Sequence, residues 1–492
     1  MIIKFTRSSV PSLITVFSTA VQVCLIVISC FAPRDTINYA MYINNYVLGF
    51  SILLTLCFKG MAKHLLAIAF FACFMLFLMA QKPFEPEYNV YLTFARVQLD
   101  TAQYFSFSTI LFIGLSVTYY SYVFFCDRSP DMYIIQKLNV LISMVKYQNL
   151  RPYLTVMLAI TLPCAFYMQG YIVLIRGSMA YTSGYLINVD MPAFIKVGYY
   201  LYATVVLLYL AIKPPKGQML FVLITYLIIE GGLQVFQGRR ALFASTLLFI
   251  IWYLVKYYGI KRFNPKLLFG IGAVFAALLV VLIVVERARD NASGGFSLRF
   301  IRQFLISTGG SDSVIANTIY RADAFPESGL TYLLDPFLNN PLVNILLGKT
   351  SSAQGMTYLQ QHHSFSHWIS YMTDSSLYLS GHGMGSSYLA EVWLALGMAG
   401  VFIASILIGW VIHKLNTVQF TDNVFRSAFI FFLVRRLFTL PRDGMFSWVS
   451  SLLYMLFTFC LVYPFYTTSC KQGLPDRRRE DKWHLTKSTR TY

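Results

Sequence analysis

The feature that most constrains this chain is a series of long apolar segments joined by short polar stretches. Each segment holds about 20 mostly apolar residues, the length at which an α-helix crosses the hydrocarbon core of a bilayer. Backbone groups in lipid must be hydrogen-bonded within their own segment, so each segment is predicted to be a helix. About twelve occur, at residues 10–31, 39–58, 64–80, 101–126, 153–175, 193–212, 218–236, 241–258, 266–285, 388–413, 424–440 and 445–468. The sequence therefore predicts an all-α, polytopic integral membrane protein.

Composition agrees with a membrane protein and argues against nucleic-acid binding. Hydrophobic residues make up 57% of the 492 residues and charged residues only 12%, whereas a soluble domain carries about a quarter charged residues. The formal net charge is +18, but the basic residues are scattered over the joints instead of lining one face. We therefore expect anionic membrane lipid as the partner of these charges, and no nucleic acid.

The cysteines and the N-terminus add two further expectations. All eight cysteines lie in or beside apolar segments, so no disulfide framework is predicted. Lys4 and Arg7 precede the first apolar segment, as in a signal peptide, but that segment is too long and lacks a small-residue cleavage site. We expect it to be retained as the first membrane helix.

The joints predict the orientation, because Lys and Arg concentrate on the cytoplasmic side of membrane proteins. If the N-terminus is cytoplasmic, every joint on that side is basic. These joints are residues 59–63, 128–151, 213–216, 256–266 and 413–426, together with the tail that holds Arg477, Arg478 and Arg479. An even number of helices with both termini cytoplasmic fits this distribution.

A polar interval at residues 286–387 is the only long interruption of the apolar series. It is predicted to be a folded extramembrane loop on the outer side, with short amphipathic pieces at 300–305 and 314–320. The predicted organisation is nine membrane helices in residues 1–285, the large loop at 286–387, three further helices in 388–468 and a basic cytoplasmic tail at 469–492. The interval holds four of the seven histidines, so any chemistry is expected here.

Several arginines fall at the predicted outer ends of helices or in the large loop, where the positive-inside tendency disfavours them. A charge at membrane depth is costly and usually pairs with a partner or a ligand. Arginine suits bidentate capture of phosphate oxygens. The sequence therefore predicts a site for an anionic substrate, with lipid-phosphate contact as the alternative for any single arginine. The predicted binding residues are Arg239, Arg240, Arg435, Arg436, Arg442, Arg289 and Arg299.

Three other groups of polar residues have spacings that could serve chemistry. His363 and His367 have the i, i+4 spacing of a helical metal pair, but the intervening Ser-Phe-Ser is a poor helix former, so a structural role is favoured and no metal site is predicted. Residues 309–313 are interpreted as a turn with an Asp or Ser cap. Glu230 and Gln234 lie one helical turn apart in an apolar segment, where Glu230 is expected to pair with a basic residue, for function or for structure.

A motif near the end of the loop resembles a known family. Residues 383–391 read Gly-Met-Gly-Ser-Ser-Tyr-Leu-Ala-Glu, which is similar to the Gly-x-Gly-Ser-Ser-x-x-Ala-Glu segment before a late helix of Wzy-type O-antigen and related repeat-unit polymerases. The glycines permit sharp turns or close approach to a ligand, and Ser386 or Ser387 can cap the helix. The layout also agrees, with a late large loop, a Gly-Arg-Arg turn at 238–240 and an Arg-x10-Gly spacing from Arg299 to Gly310.

This resemblance implies a GT-C-like, metal-independent glycosyltransferase of the bacterial inner membrane that needs no cofactor. It would join undecaprenyl-pyrophosphate-linked oligosaccharides at the periplasmic face, where the large loop would lie, and a chain-length-regulating protein is a candidate partner. The arginines would hold the pyrophosphate, where negative charge develops. His382 or Glu391 would act as general base, with His363 and His367 as second candidates. The residues predicted to contact sugar are Ser387, Tyr388 and His363.

Two alternatives stay open from the sequence. One is a transporter or flippase for lipid-linked oligosaccharide, since about twelve helices is also a transporter count. Transporters usually show repeated halves, however, whereas this chain has one large loop late in its length. The other is an O-antigen ligase, which the sequence separates poorly from a polymerase.

Overall fold

The structure is a computed structural model that describes residues 9–29, 31, 34–80, 89–90, 97–126, 150–176, 191–236, 239–260, 308–340, 354–417 and 423–472. Within these ranges the regular secondary structure is helical, apart from one antiparallel pairing of β1 (Asn89–Val90) with β2 (Val97–Gln98). The predicted all-α class is confirmed for this part of the chain.

The helices follow the predicted apolar segments closely. Those before the large loop are α1 (Ser9–Ile28), α2 (Arg34–Gly60), α3 (Leu65–Leu78), α4 (Thr101–Cys126), α5 (Leu150–Arg176), α6 (Ala193–Ala211), α7 (Lys216–Leu227), α8 (Leu233–Phe236) and α9 (Arg240–Tyr258). A short π-helix, Ile228–Gly232, connects α7 to α8. The loop contributes α10 (Asp312–Tyr320), α11 (Gly329–Leu338), α12 (Met356–Gln361), α13 (Phe365–Thr373) and α14 (Ser375–Leu379), and the last helices are α15 (Tyr388–Thr417), α16 (Val424–Thr439) and α17 (Val449–Gln472).

Among the described residues, nine helices are long and apolar enough to cross a membrane. They are Val10–Ile28, Ile37–Gly60, Thr101–Cys126, Leu150–Leu174, Ala193–Ala211, Lys216–Val235, Ala241–Tyr258, Tyr388–Thr417 and Val449–Thr467. The predicted segments 64–80 and 424–440 form α3 and α16, with only 14 and 16 residues. The predicted segment 266–285 lies outside the described residues. A polytopic membrane protein is confirmed, and the count of twelve stays a prediction.

The helices pack through close pairings of α15 with α4, α5 with α6, and α1 with α2. Gly409 of α15 lies against α4, because a β-carbon at this position would come within 2.6 Å of the carbonyl oxygen of Thr118. Small residues at helix contacts are how membrane helices approach closely without a hydrophobic driving force. The short helix α3 packs against α15, α16 and α2, and most of its side chains are buried.

Helix α15 is broken within its first three turns. Gly397 has φ 63° and ψ −150°, which are non-helical angles in a region of backbone space that only glycine occupies readily. The break leaves a short initial piece from Tyr388, followed by the longer piece that packs along α4. This geometry sets where the end of the large loop meets the membrane helices.

The described residues of the large loop, 308–340 and 354–387, form short helices joined by turns and irregular segments. Helix α10 begins at Asp312, directly after Ser311 and the predicted glycine turn, but the Ser311 side chain makes no capping hydrogen bond. The amphipathic piece predicted at 314–320 lies within α10. The piece predicted at 300–305 lies outside the described residues.

Candidate active site

Two adjoining cavities lie where the large loop meets the membrane helices. The first, named the loop cavity, has a volume of about 400 Å³ and lies between α13, α14, the start of α9 and the end of α16. The second, named the membrane cavity, has a volume of about 380 Å³ and lies between α6, α9, α16 and α17. Arg239, Leu242 and Thr439 line both cavities. A ligand with a polar end in the loop cavity could therefore extend into the membrane cavity past Arg239.

One wall of the loop cavity is the segment 381–387 that returns the chain to α15, named the return segment. Gly381 and Gly385 have φ of 93° and 83°, so both adopt the left-handed conformation that favours glycine. The amide of Gln354 donates hydrogen bonds of 2.7 Å to the carbonyl oxygens of Tyr378 and His382. The backbone N–H of Met384 donates to the Ser370 hydroxyl at 2.9 Å. These bonds fix the return segment to α13 and α14.

His382, predicted as the first candidate for the general base, lines the loop cavity. Its Nδ1 lies 3.0 Å from the hydroxyl oxygen of Ser380. Its backbone N–H donates to the carbonyl oxygen of Leu377 at 3.0 Å. The imidazole is therefore oriented by its neighbours and placed beside the cavity.

His367 also lines the loop cavity. Its Nδ1 lies 3.0 Å from the Tyr378 hydroxyl, and its ring centroid lies 4.3 Å from that of Tyr358. Burial, with a smaller contribution from His362, lowers the pKa of His367 to about 4. The ring is therefore neutral near pH 7 and a weak base.

His363 lies away from both cavities. Its Nδ1 is 2.6 Å from Oε1 of Glu327, and its backbone N–H donates to Asp335 at 3.1 Å. Because α13 begins only at Phe365, His363 does not share a helical face with His367. The helical metal pair that the spacing could have formed does not occur.

The membrane cavity contains a buried ion pair between Arg435 of α16 and Glu230 of the π-helix. A guanidinium nitrogen of Arg435 donates to Oε2 of Glu230 at 2.6 Å, and a second nitrogen donates to the Tyr226 hydroxyl at 2.7 Å. The predicted basic partner of Glu230 is therefore Arg435. Single π-turns are frequent at functional sites, and this one places Glu230 in the cavity wall.

Arg436 and Arg442 are less completely neutralised. Nη1 of Arg436 lies 3.9 Å from a carboxylate oxygen of Asp443, and its Nη2 donates to the Ser451 hydroxyl. Arg442 lines the loop cavity and forms no ion pair with any described residue. Arg239 precedes α9, where its backbone N–H donates to the Gln234 carbonyl at 2.9 Å. Four of the predicted arginines therefore border one pair of cavities.

The remaining predicted arginines cannot be placed at the site. Arg240 begins α9, next to Arg239, but its side chain lies outside the described part of the chain. Arg289 and Arg299 lie wholly outside the described residues. Their role in holding phosphate stays a prediction.

Ser387 and Tyr388, predicted to contact sugar, lie beneath the cavity wall instead of lining it. The Ser387 hydroxyl donates to the Pro441 carbonyl at 3.2 Å. Tyr388 is completely buried. Neither side chain reaches either cavity in this arrangement. The expected side-chain cap of α15 does not form, because the Ser386 hydroxyl donates to Glu391 and the Ser387 hydroxyl to Pro441. The Ser387 carbonyl accepts from the Glu391 N–H at 3.1 Å.

Glu391 is buried and joins two parts of the site. Its Oε1 accepts from the Ser386 hydroxyl at 2.6 Å and its Oε2 accepts from the backbone N–H of Met445 at 2.8 Å. A β-carbon at Gly444 would lie 2.5 Å from Oε1, so the chain after α16 passes directly over the carboxylate. No arginine of the described residues pairs with it. Glu391 therefore links the return segment to residues 440–448, named the 440–448 turn.

A comparison with protein families identifies the chain. A family model described as O-antigen polysaccharide polymerase Wzy matches residues 14–472, nearly the whole length. The chain belongs to this family. Comparisons with curated proteins and with solved structures give no match.

Membership of the Wzy family confirms the family that the sequence resembles and gives the chain its activity class. Wzy polymerases act on lipid-linked oligosaccharide repeat units in membranes, so this chain is a multi-pass inner-membrane polymerase of glycosyltransferase type. The transporter and ligase alternatives are not favoured.

Some residues of this Wzy site were not predicted from the sequence. Gln354 and the stacked rings of Tyr200 and Tyr454, whose centroids lie 4.8 Å apart, are examples. Tyr200 and Tyr454 line the membrane cavity, although tyrosine near helix ends is ordinarily expected at the membrane interface. No pattern in the sequence marks Gln354, because its role depends on two carbonyl groups more than 20 residues away.

Proposed function

We propose that this polymerase transfers a growing glycan from one undecaprenyl-pyrophosphate carrier to a sugar hydroxyl of the next lipid-linked repeat unit, at the periplasmic face. The membrane cavity would hold the donor diphosphate and the start of its prenyl chain. The loop cavity would hold the acceptor sugar. The observation that carries this proposal is that the two cavities adjoin at Arg239, so donor and acceptor can meet there.

The chemistry explains why arginines are needed. The acceptor oxygen forms a bond to the anomeric carbon of the donor, the bond from that carbon to the phosphate oxygen breaks, and the hydroxyl proton passes to a base. Negative charge builds on the departing diphosphate, and fixed guanidinium groups stabilise it in a site of low polarity. Arginine charge could serve without a divalent cation, so we propose a metal-independent reaction.

Arg239 and Arg442 are the best placed to contact the diphosphate. Arg442 lines the loop cavity and forms no ion pair with a described residue, and Arg239 lines both cavities. Arg436 is partly offset by Asp443. Arg435 is fully engaged with Glu230 and Tyr226, so its contribution would be to set the shape and potential of the membrane cavity.

His382 is the proposed general base. An imidazole is the usual base near neutral pH, and His382 lines the cavity assigned to the acceptor. His367 borders the same cavity, but burial lowers its pKa to about 4, so it is a poor proton acceptor near neutral pH. The roles predicted for Glu391, Ser387, Tyr388 and His363 would require movement, because none of them lines the loop cavity.

The proposal includes the orientation and the fold type. Both termini would be cytoplasmic and the large loop periplasmic, as the basic joints favour. Multiple membrane helices with a large helical loop over the site are what a GT-C-like glycosyltransferase would present. A chain-length-regulating partner stays a prediction.

The test uses purified protein in proteoliposomes with a lipid-linked repeat unit, a metal chelator and no nucleotide. We expect a ladder of extended products from the native chain and none from Arg239→Ala or Arg442→Ala. Arg426→Ala is the matched control, because Arg426 is exposed near the opposite end of α16. Removal of one transition-state contact typically lowers the rate about 10²-fold to 10³-fold.

Three results would contradict the proposal. The first is full activity of Arg442→Ala and Arg239→Ala. The second is a ladder that appears only when a divalent cation is restored. The third is movement of intact substrate across the vesicle membrane without extension, which would indicate transport.

A further inference from the structure

Helix α11 of the large loop presents a partly exposed apolar stripe. Leu330, Leu334, Phe337 and Leu338 have exposed fractions of 45%, 45%, 43% and 51%. Their spacing of i, i+4, i+7 and i+8 places them along one face of the helix. An apolar stripe of this kind on a water-exposed loop is unfavourable and indicates a surface that contacts something else.

The other faces of α11 are already engaged with the loop. Tyr332 and Leu333 are buried. Asp335 accepts hydrogen bonds from the Asn339 side chain and from the backbone N–H of His363. The helix is therefore amphipathic, with its polar and buried sides fixed to the loop and its apolar stripe directed away from it.

The N-terminal end of α11 rests directly on a membrane helix. A β-carbon at Gly329 would overlap the carbonyl oxygen of Leu394, so the backbones of α11 and α15 are in contact there. Leu394 lies inside the candidate membrane span Tyr388–Thr417. Two residues further, Leu396 is 49% exposed, just before the break at Gly397. The apolar stripe thus adjoins an outward-facing apolar surface of a membrane helix.

The C-terminal end of α11 also contacts residues close to the membrane helices. The ring centroids of Phe337 and Phe446 lie 5.1 Å apart in an edge-to-face arrangement. The ring centroids of Phe446 and Trp448 lie 6.5 Å apart. Both aromatic residues belong to the 440–448 turn between α16 and α17. Aromatic residues are enriched at the level of the lipid headgroups, so both ends of α11 lie close to the boundary of the bilayer.

We infer that α11 is an interfacial helix whose apolar stripe contacts the acyl chains of the surrounding phospholipid bilayer. The part of the large loop that was predicted to be extramembrane is then partly inserted in the membrane. Lipid is favoured as the occupant because the stripe adjoins the exposed surface of α15, a membrane span. Amphipathic helices of this kind bury their apolar face about 5–10 Å into the headgroup and acyl boundary.

This contact would orient the loop cavity. Asp335 of α11 accepts from the backbone of His363, two residues before α13 begins, and α13 carries His367 and Ser370 in the cavity wall. The bilayer therefore holds one wall of the loop cavity at a defined height. The inference is independent of the reaction assigned to the site.

The test incorporates an environment-sensitive fluorescent amino acid at position 334 or 337 of the full chain in proteoliposomes. We expect quenching by phospholipids brominated on their acyl chains, and protection from aqueous iodide. The control position is Ala324, which is exposed in the same loop on the short 3-10 helix Ala322–Ala324. There we expect quenching by iodide and none by brominated lipid.

Each alternative has its own result. Iodide quenching at 334 and 337 would place the stripe in water and overturn the inference. Protection from both quenchers would indicate a second copy of the chain or another protein, and would overturn it equally. If a label at 334 disturbs the fold, shown by a loss of the monodisperse peak in size-exclusion chromatography, Leu330 provides a further position in the same stripe.

Discussion

Arg435 has a proposed role in shaping the membrane cavity and a role in folding, and a single alanine substitution would remove both at once. Its guanidinium neutralises Glu230, and both side chains are largely buried. Removing one partner of a buried ion pair typically costs about 3–5 kcal/mol, because the other charge is left uncompensated. We expect Arg435→Ala to lower the melting temperature in detergent as well as to abolish chain extension.

A double variant separates the two roles of Arg435. Glu230→Gln with Arg435→Gln removes both charges, so we expect recovery of much of the melting temperature. Chain extension should stay absent if the positive charge serves the reaction. A double variant that is both stable and fully active would show that the pair is purely structural.

The buried imidazole of His367 predicts a stability loss in acid. Its pKa is lowered to about 4 from its ordinary value of 6.5, so the folded state binds fewer protons than the unfolded state between these values. Stability is then complete above about pH 6.5 and falls as the pH drops towards 4. We expect the melting temperature of the native chain to fall over this window more than that of His367→Phe. Equal slopes for the two proteins would contradict this assignment.

The sequence predicted the residue types at the site better than their contacts. It placed Arg239, Arg435, Arg436 and Arg442 at one end of the bundle, because charge at membrane depth is rare and therefore informative. It also predicted a basic partner for Glu230. It could not predict that Glu391 accepts from Met445, since 54 residues separate them and the donor is a backbone group that every residue shares.

At the level of elements, the Glu391 carboxylate links the return segment to the 440–448 turn through two hydrogen bonds. A substitution can distinguish this structural role from a role as general base. In Glu391→Gln the amide oxygen can accept from Met445 N–H, and the amide nitrogen can donate to the Ser386 hydroxyl. Both links then persist without a carboxylate. We expect Glu391→Gln to retain most of its activity and Glu391→Ala to lose it, as measured by the product ladder.

Two further results support or contradict this role for Glu391. Ser386→Ala removes one link and should lower activity less than Glu391→Ala. A glutamine variant as inactive as the alanine variant would instead indicate that a carboxylate takes part in the reaction. His382→Ala provides the comparison, because we expect loss of the proposed general base to lower the rate of chain extension without unfolding the protein.

Helix boundaries show which elements a sequence can reveal. The apolar segments 101–126 and 388–413 predicted the ends of α4 and α15 to within a few residues. They stand out because they are longer than most helices of soluble domains. The break at Gly397 was not predicted, since an isolated glycine in an apolar helix is usually tolerated without a break. The apolar stripe of α11 was also missed, because a helix of ten residues is too short for its periodicity to stand out.

For the whole molecule, hydropathy alone does not show which apolar segments face lipid and which are covered by other helices. The segment 64–80 is as apolar as the others, yet its helix α3 has 14 residues and is almost wholly surrounded by protein. Composition cannot distinguish a buried core helix from a membrane span, because both exclude water. The large loop contains helices over its described residues, and its extent as a separate extramembrane unit stays a prediction from the one long polar interval in the sequence.

Orientation in the membrane is the last prediction, and it decides which substrates the site can reach. Ala324 is exposed in the large loop and Lys216 is exposed in a basic joint. In cells with a permeabilised outer membrane, we expect a membrane-impermeant maleimide to label Ala324→Cys and to leave Lys216→Cys unlabelled until the inner membrane is lysed. The native chain, with its eight cysteines, gives the background signal. The reverse pattern would place both cavities at the cytoplasmic face, where a periplasmic lipid-linked repeat unit could not enter them.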